Sequence, residues 1–588
     1  MTTLSVLLTT YYRQTLLTMS VLLSAPLCQA ALPNMIEQSL IAANLKDNDI
    51  SMVILPVSDD TQHNHLPAAI LPKNPANTLP TDVTTVSMTE NKQTEQTLTQ
   101  PVTLEDGSVI QPIFKESAPL LVQDNELSMV DANPQPAIQP LTTPLYHLAN
   151  QPRTPASTMK LIPTFVALDT LGQDFVWQTQ ILHTGVIING TLYGDMIIKG
   201  SGDPKLTHER LTQLLYQAKK AGISHIDGNI ILDTSIFQQV GKDPAAFDNE
   251  PLRPYNASPD GLLINFNSIQ ITTLPDNHGN SQLSYTPMLA DYQLPATLPQ
   301  RHASCGSIEY SLAPKWQTNQ LSFNKNMPSN CGEHQFYIAY PDVTDYARRV
   351  VKQKWLDLGN SLNGQVITHN QLTATHSANV HSTKPKNSPP IVALKAWQYP
   401  LPLASYPSLP LSAQIYDINH YSNNVMTEQL TLSLPVYSAN KTTLTSNYPT
   451  ALTQISDWWQ THLSSPPPMM SNGSGLCRDC TVTAANMAEL LQYAYQHPKF
   501  ATYVDSLGIA GVSGTIAGHA HRRPHSQAIG RAWIKTGTLD NVTSMAGYVK
   551  GLSGQDYVVV GIINTNHKLN AAKARPVLDA MLDWTAQH

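Results

Sequence analysis

The sequence has no surplus of positive charge: 35 Lys and Arg stand against 42 Asp and Glu, a formal net charge of -7. Without a basic field to displace counterions from a phosphate backbone, nucleic acid is set aside as a partner. Cysteine is scarce, with five in 588 residues. Cys477 and Cys480 have no second Cys or His pair at zinc-binding spacing, so neither a metal site nor a thioredoxin-like centre is called for, and no cofactor is implied. The apolar stretch near the N-terminus is shorter than the ~20 residues that span a bilayer. No short-period repeat points to a solenoid.

What is present begins with an export signal over residues 1–30: Arg13 as a thin positive region, an apolar stretch over 16–27, and Cys28-Gln29-Ala30 as a small-residue cleavage site. Pro26 and Leu27 do not supply the small residue that would make Cys28 a lipid attachment site. The expected location is the periplasm. Cleavage after Ala30 leaves Cys305, Cys331, Cys477 and Cys480, an even count that predicts disulfides. Three pairings are possible, and the local one joins Cys305 to Cys331 and Cys477 to Cys480.

A chain of 588 residues, at about 150 per domain, implies three or four units. Residues 59–140, rich in Thr, Gln, Asn and Pro, and 368–390, rich in His, Ser, Asn and Lys, are too poor in core formers to offset their ordering entropy, and read as loops or linkers. Met35, Ile36, Leu40, Ile41 and Leu45 fall at helical spacing, followed by a strand over 51–57. Three strand-like runs, 529–538, 544–549 and 557–563, precede a terminal helix around 577–584. The pattern predicts an α+β fold in which helices from both termini cover an antiparallel sheet. Residues 181–346, with short apolar runs such as 191–199 and 229–232 between Gly, Asn and Pro, read as mainly β.

Three elements recur in serine acyl-transferases that react with β-lactams: Ser-x-x-Lys, Ser-x-Asn and Lys-Thr-Gly. Here they are Ser157-Thr158-Met159-Lys160, Ser422-Asn423-Asn424 and Lys535-Thr536-Gly537, in that order. The first pattern is weak alone, since Ser322 to Lys325 and Ser438 to Lys441 also match it. Ser157, however, opens a helical run with Leu161, Phe165, Leu168 and Leu171 on one face, closed by Gly172; Pro163 sits awkwardly within it. Three residues on, Lys160 can reach the Ser157 hydroxyl. A serine needs a base, and a lysine becomes one when burial or a nearby cation favours its neutral form. Lys535 is the candidate cation and an attraction for a substrate carboxylate. Ser422 would relay protons, and Asn424 would hold the substrate amide and the lysine. Gly537 leaves the strand edge open to an added peptide strand, and the backbone N–H groups of Ser157 and Thr538 are the candidate oxyanion donors.

Pro152-Arg153-Thr154-Pro155-Ala156-Ser157-Thr158-Met159-Lys160-Leu161, Gly194-Asp195-Met196-Ile197-Ile198-Lys199-Gly200-Ser201-Gly202-Asp203-Pro204, Asn472-Gly473-Ser474-Gly475-Leu476 and Gly511-Val512-Ser513-Gly514-Thr515 make the chain resemble the class C low-molecular-mass penicillin-binding proteins, the peptidase S13 type. The resemblance implies a D-alanyl-D-alanine carboxypeptidase or endopeptidase acting on peptidoglycan stem peptides through an acyl-enzyme, with β-lactams as covalent inhibitors. It implies a transpeptidase/β-lactamase-like domain in two parts, 31–180 (with 59–140 as a polar insertion) and 396–588. Two mainly β domains at 181–395, one nested at about 240–340, lie between the Ser-x-x-Lys and Ser-x-Asn elements. It places the nucleophile at Ser157, the base at Lys160, the second element at Ser422 and Asn424 and the third at Lys535, Thr536 and Gly537. Arg478 matches a family arginine beside the substrate. Glu250, with Asp248 second, is the nearest match for an acidic residue that meets the diaminopimelyl amine.

Asn472 stands where the family has Asp, and Cys477 where it has Ser. The alternatives are a β-lactamase or a catalytically silent peptidoglycan-binding protein. A class A β-lactamase needs a deacylating glutamate region not found here, and a class C one has tyrosine in place of Ser422. Oligomeric state and peripheral membrane association are left open by the sequence.

Overall fold

The computed structural model describes residues 31–58, 64–70, 102–103, 109–110, 138–306, 308, 312–370, 400–439 and 443–588. The expected export signal and most of both polar segments lie outside these residues. Two compact units are present, Met1–Leu71 with Ile138–His588, and Pro72–Ala137. In the second, Val102–Thr103 pairs antiparallel with Val109–Ile110. All that follows concerns the first.

Its centre is a six-stranded antiparallel sheet in the order Gly508–Ile509, Ala532–Leu539, Val542–Lys550, Asp556–Asn564, Ile50–Val57, Leu145–His147. Period-two alternation supplies both of its faces. Ile50, Met52 and Ile54 join one core with Ile36 and Leu40 of the helix Asn34–Ala42 and with Val577 and Met581 of the helix Ala571–Ala586. Val53 and Val57 join the other, against the helices Leu161–Leu171, Leu411–Tyr421, Asn424–Tyr437, Tyr448–His462 and Ala484–Tyr495. In that second core the buried ring of Phe165 meets Trp458 and Tyr503 edge-on, at centroid distances of 5.8 and 5.1 Å. Burying a phenylalanine there contributes about 2–3 kcal/mol. Pro163 lies in the first turn of its helix, where a missing N–H costs little.

Residues 178–407 form a region with a separate core that includes Ile198, Leu214, Leu232, Ile269, Ile338 and Val350. One five-stranded sheet runs Val366–His369, Ile230–Asp233, Met196–Lys199, Gln178–His183, Leu401–Pro407. The first and last strands of the region, Gln178–His183 and Leu401–Pro407, pair antiparallel, so the chain leaves and re-enters the catalytic part at one place. Five further strands between 268 and 339 build a second sheet. The region also holds two helices that the apolar runs did not announce. His208–Lys220 buries Leu211, Leu214, Leu215 and Ala218 at helical spacing. Val343–Asp357 is capped by the Asp342 carboxylate, which accepts from the N–H groups of Thr344 and Asp345, a cap worth about 1 kcal/mol. The apolar run over 191–199 holds two strands, Thr191–Tyr193 and Met196–Lys199. Both expected disulfides are formed, Cys305 with Cys331 and Cys477 with Cys480.

Candidate active site

The site assembles at the start of the nucleophile helix. Ala156 to Lys160 form a 3-10 turn before the α-helix begins at Leu161. In such a turn residues three apart eclipse, which sets Lys160 directly over Ser157. The turn is approached through Ala156 at φ 50°, a left-handed conformation that costs of order 1 kcal/mol for a residue with a side chain. The loop Gly473-Ser474-Gly475 presses against it: a Cβ on Gly475 would lie 2.0 Å from the Ala156 carbonyl oxygen, so only glycine fits.

Lys160 is fully buried while Ser157 is partly exposed. The Lys160 Nζ donates to Asn424 Oδ1 at 2.7 Å and to the Ser474 carbonyl at 2.6 Å, and lies 2.8 Å from Ser157 Oγ. Both carbonyl partners only accept. They therefore occupy the two N–H bonds of a neutral amine and turn its lone pair toward the serine hydroxyl. Burial pushes the Lys160 amine down to about 7, and the Glu428 carboxylate draws it back upward. A neutral base is thus available near neutral pH.

Ser422 ends the helix Leu411–Tyr421 in a left-handed conformation, φ 63°, and Asn423 caps the next helix by accepting from the Met426 N–H. This sharp reversal sends Ser422 and Asn424 into the site from a helix end and a helix start. The Lys535 Nζ donates to Ser422 Oγ at 2.8 Å and to the Thr536 carbonyl at 2.9 Å. Burial, and then the charge of Lys160, hold the Lys535 amine well below the ordinary lysine range. Thr536 Oγ1 donates to Thr515 Oγ1 at 2.7 Å, which ties the strand to the Gly-Val-Ser-Gly-Thr segment. A Cβ on Gly537 would lie 2.3 Å from Ser544 Oγ and 2.9 Å from the Ser157 nitrogen, so the strand approaches the nucleophile as closely as backbone allows. The short strand Gly508–Ile509 pairs only with Trp533 and Ile534, which leaves the same edge without a strand partner from Lys535 onward among the described residues.

Ser157, Lys160, Ser422, Asn424 and Lys535 are therefore brought together, with Thr536 and Gly537 beside them. Thr538 continues the same strand, and its Oγ1 accepts from Arg575 at 3.4 Å. Arg478 is exposed and stacks over the Phe247 ring at 4.7 Å, linking the disulfide loop to the inserted region. Glu250 is exposed and faces Arg253 at 4.0 Å. The Asp248 carboxylate accepts from Tyr255 OH and Asn256 Nδ2, each at 2.7 Å. Neither acid lines the cavity of about 290 Å³ between the inserted region and the disulfide loop, whose lining includes Asp243, Phe247, Glu428, Tyr448 and Asp479. Cys477, Cys480 and Asp479 cluster there, but the sulfurs are bonded to one another and offer no thiolate to an ion.

Three contributors escaped the sequence reading. Ser474 supplies a carbonyl to Lys160. The Tyr255 carbonyl, from the inserted region, accepts from Asn424 Nδ2 at 2.9 Å. Glu428 is a buried acid one helical turn past Asn424. Only Glu428 carried a signal, its i+4 spacing from Asn424.

The model of the D-Ala-D-Ala carboxypeptidase 3 (S13) family matches residues 137–394 and 388–588. The chain belongs to this family. It is accordingly a serine carboxypeptidase with the α+β fold of penicillin-binding proteins. Among S13-type relatives, the D-alanyl-D-alanine carboxypeptidase DacB of Haemophilus influenzae is 24% identical over 418 residues, covering 70% of this chain and 80% of the relative. The D-alanyl-D-alanine carboxypeptidase of Actinomadura sp. is 24% identical over 433 residues, covering 70% and 73%. The crystal structure of penicillin binding protein 4 (dacB) from Haemophilus influenzae superposes with a TM-score of 0.58 at 20% identity, over 75% of this chain and 93% of that one. The same protein complexed with a β-lactam gives 0.54 at 21% identity, over 74% and 92%.

Proposed function

We propose that Ser157 is the nucleophile of a peptidoglycan D-alanyl-D-alanine peptidase, with Lys160 as its base. The observation that carries this reading is the exhaustion of the Lys160 N–H bonds on Asn424 and Ser474, which aims the lone pair at Ser157. In acylation the Ser157 proton passes to Lys160 Nζ as Oγ bonds to the penultimate D-alanine carbonyl carbon. The backbone N–H groups of Ser157 and Thr538 take the oxyanion, each donor contributing about 3–4 kcal/mol in such sites. The C–N bond then breaks as Ser422, bonded to Lys535, delivers a proton to the leaving amine, and the proton held on Lys160 passes to Ser422 in its place, so that Lys160 is neutral again for deacylation. Water attacks the ester, gives a proton to Lys160 and releases the shortened peptide acid; Ser157 recovers its proton.

A terminal substrate carboxylate would bring negative charge to Lys535 and favour its ammonium form, which burial alone opposes. A free D-alanine as leaving group makes the reaction a trimming step. A diamino acid side-chain amine makes it cross-link cleavage. Arg478 and the acids Glu250 and Asp248 are assigned to the substrate side of the cleft on family pattern alone. β-Lactams acylate the same serine in this reading. The two disulfides support an oxidising compartment such as the periplasm.

Full-length protein given a fluorescent penicillin and a D-Ala-D-Ala peptide tests the assignment. Stable labelling with peptide hydrolysis is the expected result. Rapid antibiotic turnover would instead make the protein a β-lactamase, and no reaction a silent binder.

A further inference from the structure

Glu428 is buried, 7% exposed, in the helix Asn424–Tyr437, and touches no proposed reacting group directly. Its Oε1 accepts from Ser474 Oγ at 2.9 Å and its Oε2 from Tyr448 OH at 2.8 Å. Ser474 faces both ways: its hydroxyl meets Glu428 while its carbonyl accepts from Lys160 Nζ at 2.6 Å. Asn424, one turn earlier on the same helix face, holds the same Nζ at 2.7 Å. A buried carboxylate with two neutral donors still needs a counter-charge. Lys160 is the cation coupled to it, with Lys535 beyond. The other charged groups that line the same cavity are Asp243 and Asp479, and the phenols there are Tyr255 and Tyr448.

We propose that Glu428 is a positioning residue, the buried counter-carboxylate of Lys160, and that acting through Ser474 it sets the pH at which the lysine amine can take the proton of Ser157. This rests on the reading of Ser157 and Lys160 as nucleophile and base. The carboxylate stabilises the ammonium that forms when Ser157 gives up its proton. It also makes that ammonium harder to discharge before the next cycle. Burial drives the two groups in opposite directions, Lys160 down to about 7 and Glu428 up to about 7, and each charge opposes the shift of the other. Where the family has Asp, Asn472 accepts from the Ser474 N–H at 3.0 Å and lies 3.0 Å from the Ser474 hydroxyl, whose one proton goes to Glu428, and it adds no charge. Glu428 is therefore the carboxylate to which Lys160 responds.

The test is the pH profile of the acylation rate with a fluorescent penicillin. Glu428→Gln keeps a workable hydrogen-bond set, because Ser474 can donate to Asn472 and accept from the new amide. With the negative charge gone, the lysine loses its proton at lower pH. The acid limb of the profile should move down by about 1 unit, while the plateau falls about tenfold for want of a partner to the ammonium. Glu428→Asp keeps the charge and should leave the limb in place. A limb that does not move in Glu428→Gln, or moves to higher pH, overturns the proposal, since a merely structural role lowers the plateau without displacing the limb. If Glu428→Gln does not fold, Tyr448→Phe removes one donor to the carboxylate, weakens its negative form and should shift the limb in the same direction by less. An unmoved limb there is equally fatal. Failure of the underlying reading looks different: labelling would persist in Ser157→Ala whatever the pH.

Discussion

Ser157 to Lys160 and Ser322 to Lys325 share one spacing and live in two different backbones. The first lies on a 3-10 turn that leads into a buried helix, so the amine sits 2.8 Å from the hydroxyl. The second begins in the strand Leu321–Phe323 and runs into a bend at Asn324 and Lys325, so no helical turn stacks the lysine over the serine. Ser322 Oγ there donates to the Lys315 carbonyl at 3.5 Å, and Lys325 is exposed. Spacing alone thus specifies nothing. The backbone period decides whether the two groups meet, and burial decides whether the amine is a base. The third match cannot be compared, because Lys441 lies outside the described residues.

That contrast can be broken most decisively at the serines. Ser157→Ala should abolish covalent labelling by fluorescent penicillin with the melting temperature little changed, whereas Ser322→Ala should label like the parent. Loss of label in the second variant alone would reverse the assignment. Next come the lysines. Lys160→Ala should slow acylation by about 10²–10⁴-fold, the range of a lost general base, and Lys325→Ala should leave the rate constant within error; equal slowing in both would remove burial from the explanation. The smallest effect is expected from backbone fit. Gly537→Ala places a methyl 2.9 Å from the Ser157 nitrogen and should cost about 10²-fold in acylation through displacement of the nucleophile. Gly306→Ala, where a Cβ meets nothing within 4 Å, serves as the comparison, and similar losses at both glycines would argue against close strand approach as the cause.

The central sheet was legible because its long strands are apolar runs rich in β-branched residues, bounded by turn residues. Val53 and Ile54 face different cores because neighbouring residues of a strand point to opposite faces. The helix after Ser157 was legible from the spacing of Leu161, Phe165 and Leu168, and its end from Gly172, which adopts φ 87°. The meeting of Lys535 with Ser422 was expected from motif order, and the side chains lie 2.8 Å apart. Less accessible were contributions made by backbone. The Ser474 and Tyr255 carbonyls act through atoms every residue possesses, so no side-chain pattern marks them. The helix His208–Lys220 was missed because many polar residues dilute an apolar face that only its period reveals. Glu428 went unread because an acid in a helix is ordinarily solvated, and only the packing of Tyr448 and Ser474 around it removes the water.

The paired end strands of the inserted region have a consequence for dissection of the molecule. Trp177 and Ser408 flank the crossing and bond to each other, the Trp177 N–H donating to Ser408 Oγ at 3.0 Å and the Ser408 N–H to the Trp177 carbonyl at 2.8 Å. A short splice at that point would excise the whole region, and with it the partners of Gln414, Gln429 and Tyr437 on the catalytic helices. It would also take away Tyr255, whose carbonyl is the rest against which Asn424 is set. A trimmed enzyme of that kind would surrender one of the struts that hold its base in line.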